Sequence, residues 1–156
     1  MKDVPKPFLM LGLAPVAVVW GLGLAALLAG VDWAWICLHV QTVFTAVLCS
    51  ALGGVQWGVV LAGQMGRPGS LDSRAKAMLA FGVVPALLAW LVVIGVPFIG
   101  LWWMWPMLMI GLVSTTYFAD IQAREAGLLP DWYLALRKVM TIGVQTGLAI
   151  SLGAAL

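Results

Sequence analysis

Residues 33–63 read WAWICLHVQTVFTAVLCSALGGVQWGVVLAG and contain no charged side chain. At about 1.5 Å per residue, about 20 residues cross a hydrocarbon core of roughly 30 Å. The stretch therefore reads as a membrane-crossing helix longer than one upright span. It is expected to tilt, protrude or break, with Gly53-Gly54 as the weakest point. Two helical stripes run along it. Ala46, Ser50, Gly54, Gly58 and Ala62 recur every four residues, while His39, Thr42, Ala46, Cys49, Gly53 and Gln56 follow a three-four spacing that keeps small and polar side chains on one side. Small residues at such spacing let helix backbones approach closely, and in lipid that packing replaces the missing hydrophobic drive between helices. This helix is expected at the centre of a bundle, with Ser50, Gly54 and Gly58 as packing positions.

The whole chain fits that reading. Its 156 residues are 63% hydrophobic and 9% charged, with mean hydropathy +1.08. A soluble domain has about 45–50% apolar and about 25% charged residues. The length allows one domain, residues 1–156. A net charge of +2, with no basic patch interleaved with aromatics, speaks against nucleic-acid binding. Cys37 and Cys49 lack metal or redox spacing and read as small apolar residues.

Working outward, Met1–Pro7 is short and polar, and Phe8–Ala29 forms the first span. Pro15 inside it is expected to kink or loosen the helix. Its Ala17, Gly21, Ala25 and Ala29 recur every four residues and offer a packing face to the second helix, across a link too short for anything but a hairpin. Gln64–Lys76 is the clearest loop, by its Gly, Pro and Ser content. Ala77–Gly95 makes the third span, Val96–Gly100 a tight link, and Leu101–Ala119 the fourth span. Asp120–Pro130 is the second charged loop, with Gly127 as a helix stop and Pro130-Asp131 as the next start. Leu134–Leu156 is the fifth span, and its Gly143, Gly147, Ser151 and Ala155 supply a third small-residue stripe. The expected fold is all-α, an integral-membrane bundle of five helices.

Every Lys and Arg falls in the amino terminus, the second connection, the fourth connection or the start of the fifth span. By the positive-inside rule that side is cytoplasmic, or matrix-facing in a mitochondrion, which puts the amino terminus in and the carboxyl terminus out. Asp32 is then the one charged side chain outside.

Candidate functional residues are few. Trp33, Trp35, Trp102, Trp103 and Trp105 stand at the outer surface and Trp132 with Tyr133 at the inner one, the pattern of an interfacial aromatic belt. Trp20, Trp57 and Trp90 lie deeper, and each indole N–H needs an acceptor: Gln56, Gln145, a backbone carbonyl or a ligand. Apart from the cysteines, Tyr117, and Arg137 and Lys138 at the start of the fifth span, His39 is the one titratable side chain within a span. It reads as a hydrogen-bonded packing or interface residue, with cofactor ligation or proton chemistry as the sharper alternative. Asp120, Arg124 and Glu125 face Asp131, Arg137 and Lys138 across a short loop and read as solvated local ion pairs. No nucleophile–base pair, zinc cluster or phosphate loop appears, so neither catalysis nor a cofactor is expected.

Four blocks in fixed order carry a resemblance: Leu11-Gly12-Leu13-Ala14-Pro15, Leu52-Gly53-Gly54-Val55-Gln56-Trp57-Gly58, Val84-Pro85-Ala86-Leu87-Leu88-Ala89-Trp90, and Leu129 to Arg137, LPDWYLALR. Together they resemble the family of small bacterial membrane proteins of unknown function that includes the animal mitochondrial transmembrane protein 69. The resemblance covers nearly the whole chain and implies a small helical inner-membrane protein without agreed catalytic residues. In that family a basic residue often precedes the Trp of the Gly-Gly block, where this chain has Gln56. The expected role is a scaffold or accessory subunit of a larger membrane protein complex, in contact with lipid. The alternative is a binding protein for an apolar molecule such as a quinone, pigment or lipid, held near His39, Trp90, Trp102, Trp103 and Trp105, or against Gln56 and Trp57.

Overall fold

Five helices carry the chain in the computed structural model, which describes residues 4–64 and 73–155. They are α1 (Lys6–Leu28), α2 (Val31–Gln64), α3 (Ser73–Ile99), α4 (Met104–Glu125) and α5 (Asp131–Ala155), and no strand occurs among the described residues. Met1–Asp3, Leu156 and the greater part of the predicted Gln64–Lys76 loop lie outside the described residues. Of the rest of that loop, Gln64 ends α2 and Ser73–Lys76 form the first turn of α3.

Helices α1, α2 and α3 each contain a segment long and apolar enough to cross a membrane: Lys6–Leu28, Trp33–Gly63 and Ala75–Ile99. These mark a membrane protein. Helices α4 and α5 are less apolar along their length, since α4 ends in Asp120, Arg124 and Glu125 and α5 begins with Asp131, Arg137 and Lys138.

Helix α2 packs against all four other helices. Of the expected tilt, protrusion or break, the break at Gly53-Gly54 does not occur: α2 runs unbroken to Gln64. Gly53 serves a contact instead. A Cβ there would collide with the carbonyl of Gly82 on α3, and a Cβ on Gly82 would lie 2.8 Å from both the Gly53 oxygen and Trp57 Cδ1. The two backbones touch, which only paired glycines allow. Pro15 lies within a continuous α1, and Pro97 within α3.

Helix α1 lies beside α5 and parallel to it. Phe8 packs at a tilt against Trp132 at one end, with ring centroids 5.3 Å apart. Further along, a Cβ on Gly143 would meet Val16 at 2.6 Å, one on Gly147 would meet Val19 and Trp20 at 2.9 Å, and one on Gly153 would meet Leu27 at 3.3 Å.

The turns differ in part from the sequence reading. Helix α3 continues through Val96 to Ile99, so the tight link is Gly100–Trp103, and α4 starts only at Met104. Gly100 adopts φ +73° and its N–H donates to the Val96 carbonyl, a left-handed stop that favours glycine. Gly127 ends α4 in the same conformation, also at φ +73°. Its N–H donates to Arg124 O at 2.8 Å and the Leu128 N–H to Ala123 O at 3.0 Å, the paired bonds of a Schellman motif.

Candidate functional site

Buried polar groups form two layers, one near each end of the bundle. The layer nearer the α4–α5 turn is built on charge. Helix α4 buries Met109, Val113, Thr116, Asp120 and Ala123, an alternating four-three spacing that turns Asp120 onto the same face as the core. Helix α5 does likewise with Arg137, Thr141, Val144, Leu148 and Ser151. Arg137 Nε donates to Asp120 Oδ2 at 2.5 Å, with both side chains 2% exposed. Arg137 Nη2 donates to Thr116 Oγ1 at 3.2 Å. From the central helix, Gln56 Nε2 donates to Asp120 Oδ1 at 2.6 Å. One carboxylate thereby ties α2, α4 and α5 together. Tyr133, one turn before Arg137, is half-buried at the edge of this layer, and burial pushes its phenol up to about 12, with the Asp120 charge adding to the rise.

The Asp120–Arg137 pair corrects the reading of these residues as a solvated loop. Arg124 and Asp131 do fit that description: Arg124 Nε lies 2.8 Å from Asp131 Oδ1, with both side chains exposed, and Glu125 and Lys138 are exposed as well. The signal that separates the two pairs is spacing. Asp120 falls one turn from Thr116 on the core face of α4, whereas Arg124 falls beside Ala123 on its outer side.

The second layer is neutral. Gln41 Nε2 donates to the Val19 carbonyl of α1 at 2.8 Å and, more weakly, to the Gly147 carbonyl of α5 at 3.5 Å. Ser151 Oγ lies 2.7 Å from Gln41 Oε1 and 3.0 Å from Gly147 O, with its one proton directed to either acceptor. Gly23 makes room for this junction: a Cβ there would lie 2.8 Å from the Gly147 oxygen and 3.0 Å from Ser151 Oγ. The sequence marks Gln41, with Gln56 and Gln145, as a residue whose interhelical hydrogen bonds orient helices, but it does not single out Ser151 as its partner.

Between the layers lies an apolar plug in which Leu48 and Cys49 of α2 pack with Val19, Ala89, Met109, Val113, Val144 and Leu148. From Gln41 to Gln56 the rise along α2 is about 22 Å, at about 1.5 Å per residue.

The remaining predicted residues scatter. Gly21, Gly54 and Gly58 sit on open faces, where a Cβ would meet nothing within 4 Å, and Ser50 is exposed with its hydroxyl donating to the Ala46 carbonyl of its own helix. Within the chain, the packing seam of α2 is the other stripe, Thr42, Cys49, Gly53 and Gln56, all buried. Likewise α1 packs through Val19, Gly23 and Ala26, not through the Ala17–Ala29 stripe. Gly143 and Gly147 lie against α1 as described. His39 packs at a tilt against the buried Trp105, with centroids 5.2 Å apart, and Trp105 meets Trp102 edge-on at 5.0 Å. Trp90 is 58% exposed on the outside of α3, apart from that cluster, and Trp103 is exposed in the turn. Trp57 covers Gly82. Trp20 Nε1 donates to the Gly143 carbonyl at 2.8 Å, and Gln145 Nε2 to Ser114 Oγ at 2.7 Å.

With α4 and α5 locked onto α2 by buried polar groups, the fold is set by residues spread from end to end. The sequence match is equally extensive: residues 4–153 correspond to DUF3429, described as a protein of unknown function. The chain belongs to that family. All the residues of both polar layers in this DUF3429 chain lie within the matched stretch. No curated protein and no solved structure matches the chain.

Proposed function

We propose that this chain is a non-catalytic inner-membrane protein that crosses the bilayer five times, amino terminus inside and carboxyl terminus outside, and serves as a scaffold or accessory subunit beside a larger membrane assembly. The observation that carries the reading is the separation of the two polar layers. A pump or channel needs polar groups in series through the membrane. Here an apolar plug of packed side chains intervenes, and the charged pair is spent on helix-to-helix bonds. Apolar surface meanwhile remains uncovered all around, including Leu61, Leu87 and Leu91. The orientation rests on the basic residues gathered at the end that carries the α4–α5 turn. The kinship to mitochondrial transmembrane protein 69 belongs to the same proposal and rests on the four sequence blocks.

A second reading, binding of an apolar molecule, draws on one feature. A groove of 480 Å³ lies between α3 and α4, walled by residues such as Leu88, Val92, Val96, Met104 and Leu108.

Native mass spectrometry of the protein released gently from its own membrane separates the two. Stoichiometric protein partners without a small molecule support the scaffold. A lone protomer carrying one defined adduct rejects it in favour of the groove. Reporter fusions after Gln64 and after Leu156 test the topology, with an inside and an outside signal expected respectively.

A further inference from the structure

Two buried oxygens in the charged layer have no hydrogen-bond partner, Gln56 Oε1 and Thr141 Oγ1. Gln56 is 2% exposed and Thr141 5%. An unpaired carbonyl or hydroxyl in such surroundings costs free energy, and buried polar groups are as a rule satisfied. Both residues adjoin the Asp120–Arg137 pair, Gln56 through a hydrogen bond and Thr141 through its place on α5. Gln56 spends its amide N–H on Asp120, which leaves its carbonyl oxygen directed elsewhere at the same level. Thr141 follows Arg137 by one turn on α5, as Thr116 precedes Asp120 by one turn on the antiparallel α4, so both threonines lie on the side of the ion pair away from the α4–α5 turn. The guanidinium extends to that level, since its Nη2 reaches Thr116.

What the locality offers is a carbonyl that only accepts, a hydroxyl that donates or accepts, and a cation already neutralised by its carboxylate. An anion would face the Gln56 oxygen and Asp120. A cation would face Arg137. The complementary ligand is neutral, both donates and accepts, and is small enough for a packed interior. We propose that a bound water bridges Gln56 Oε1 and Thr141 Oγ1, linking α2 to α5 and closing a ring in which Asp120 of α4 already holds both.

The test combines a structure of the full chain in lipid, at a resolution that shows ordered water, with thermal unfolding of Thr141→Val, Gln56→Leu and the double variant. A solvent peak within hydrogen-bond distance of both oxygens is expected. Thr141→Val should lower the midpoint by about 2–4 °C in the native background and leave it unchanged in the Gln56→Leu background, where the bridge is already lost. Thr141→Ser keeps a hydroxyl and should keep both midpoint and peak. Equal losses in both backgrounds overturn the proposal, as does a direct contact between the two side chains. If Gln56→Leu does not fold, the density decides: no peak between the two oxygens in the native protein also overturns it.

Discussion

Arg137 and Asp120, 17 positions apart, meet at 2.5 Å inside the bundle and close the α4–α5 hairpin with a charge pair that water scarcely reaches. The energetic meaning of such a pair is asymmetric. Forming it repays a large desolvation penalty and little more, but removing one partner strands the other. Arg137→Ala or Asp120→Ala should therefore destabilise the protein by about 3–5 kcal/mol. The double change Arg137→Met with Asp120→Leu should recover most of that loss. Denaturant unfolding in mixed micelles measures all three. A double variant as unstable as the sum of the singles would mean that the ion pair itself, and not the stranded charge, holds the hairpin.

Adjacent glycines in the central helix have opposite surroundings. A methyl group on Gly53 would strike the Gly82 backbone, whereas on Gly54 it would enter open space. Overpacking a tight contact costs about 1–3 kcal/mol, and backbone cannot move aside as a flexible side chain can. Gly53→Ala and Gly82→Ala should each cost at least that much. Gly54→Leu and Gly58→Leu should leave the isolated protomer folded with an unchanged unfolding midpoint. Unfolding of the isolated chain by Gly54→Leu would contradict packing of α2 on α3 through Gly53 with Gly54 on an open face.

That pair of glycines also shows where the sequence was ambiguous. Both stripes of α2 carry small residues, and in lipid the outside of a bundle is as apolar as the inside, so hydropathy cannot say which stripe faces inward. The positions of the five helices and the centrality of α2 were legible because long uncharged runs and turn residues such as Gly127 act locally. The choice of seam was legible only in polarity: Thr42 and Gln56 mark the buried stripe, and Ser50 alone marks the other. Asp120 and Arg137 were hidden by their place near helix ends, where charges usually meet water. Their four-three register with Thr116 and Thr141 held the contrary information. Gln56, on the buried stripe of α2, meets the Asp120 carboxylate as a donor.

The neutral layer should be weaker than the charged one. Interhelical hydrogen bonds in membrane proteins are worth about 0.6 kcal/mol on average and up to about 1.7. Gln41→Leu removes the donor to Val19 and Gly147 and the acceptor of Ser151. It should cost about 1–2 kcal/mol. Ser151→Ala should cost less, because the hydroxyl has a second acceptor in the Gly147 carbonyl of its own helix. The same unfolding assay reads both, and a Ser151→Ala loss exceeding that of Gln41→Leu would contradict the described division of bonds.

Alkaline pH should probe the edge of the charged layer through Tyr133. Its phenol is raised from an ordinary 10.0 to about 12, chiefly by burial and further by Asp120, against the opposing pull of Arg137. A group whose folded pKa is raised contributes stability that is fully present below the unfolded value and is lost as pH rises through the folded value. The Tyr133 contribution should thus be constant below pH 10 and fall away between pH 10 and 12. An ultraviolet titration of phenolate should show one late-titrating tyrosine that vanishes in Tyr133→Phe. The same variant should flatten the decline in stability over that window, since a phenylalanine has no proton to lose. A Tyr133→Phe protein whose stability falls as steeply as the native chain between those pH values would place the phenol in solvent, not beside the Asp120–Arg137 pair.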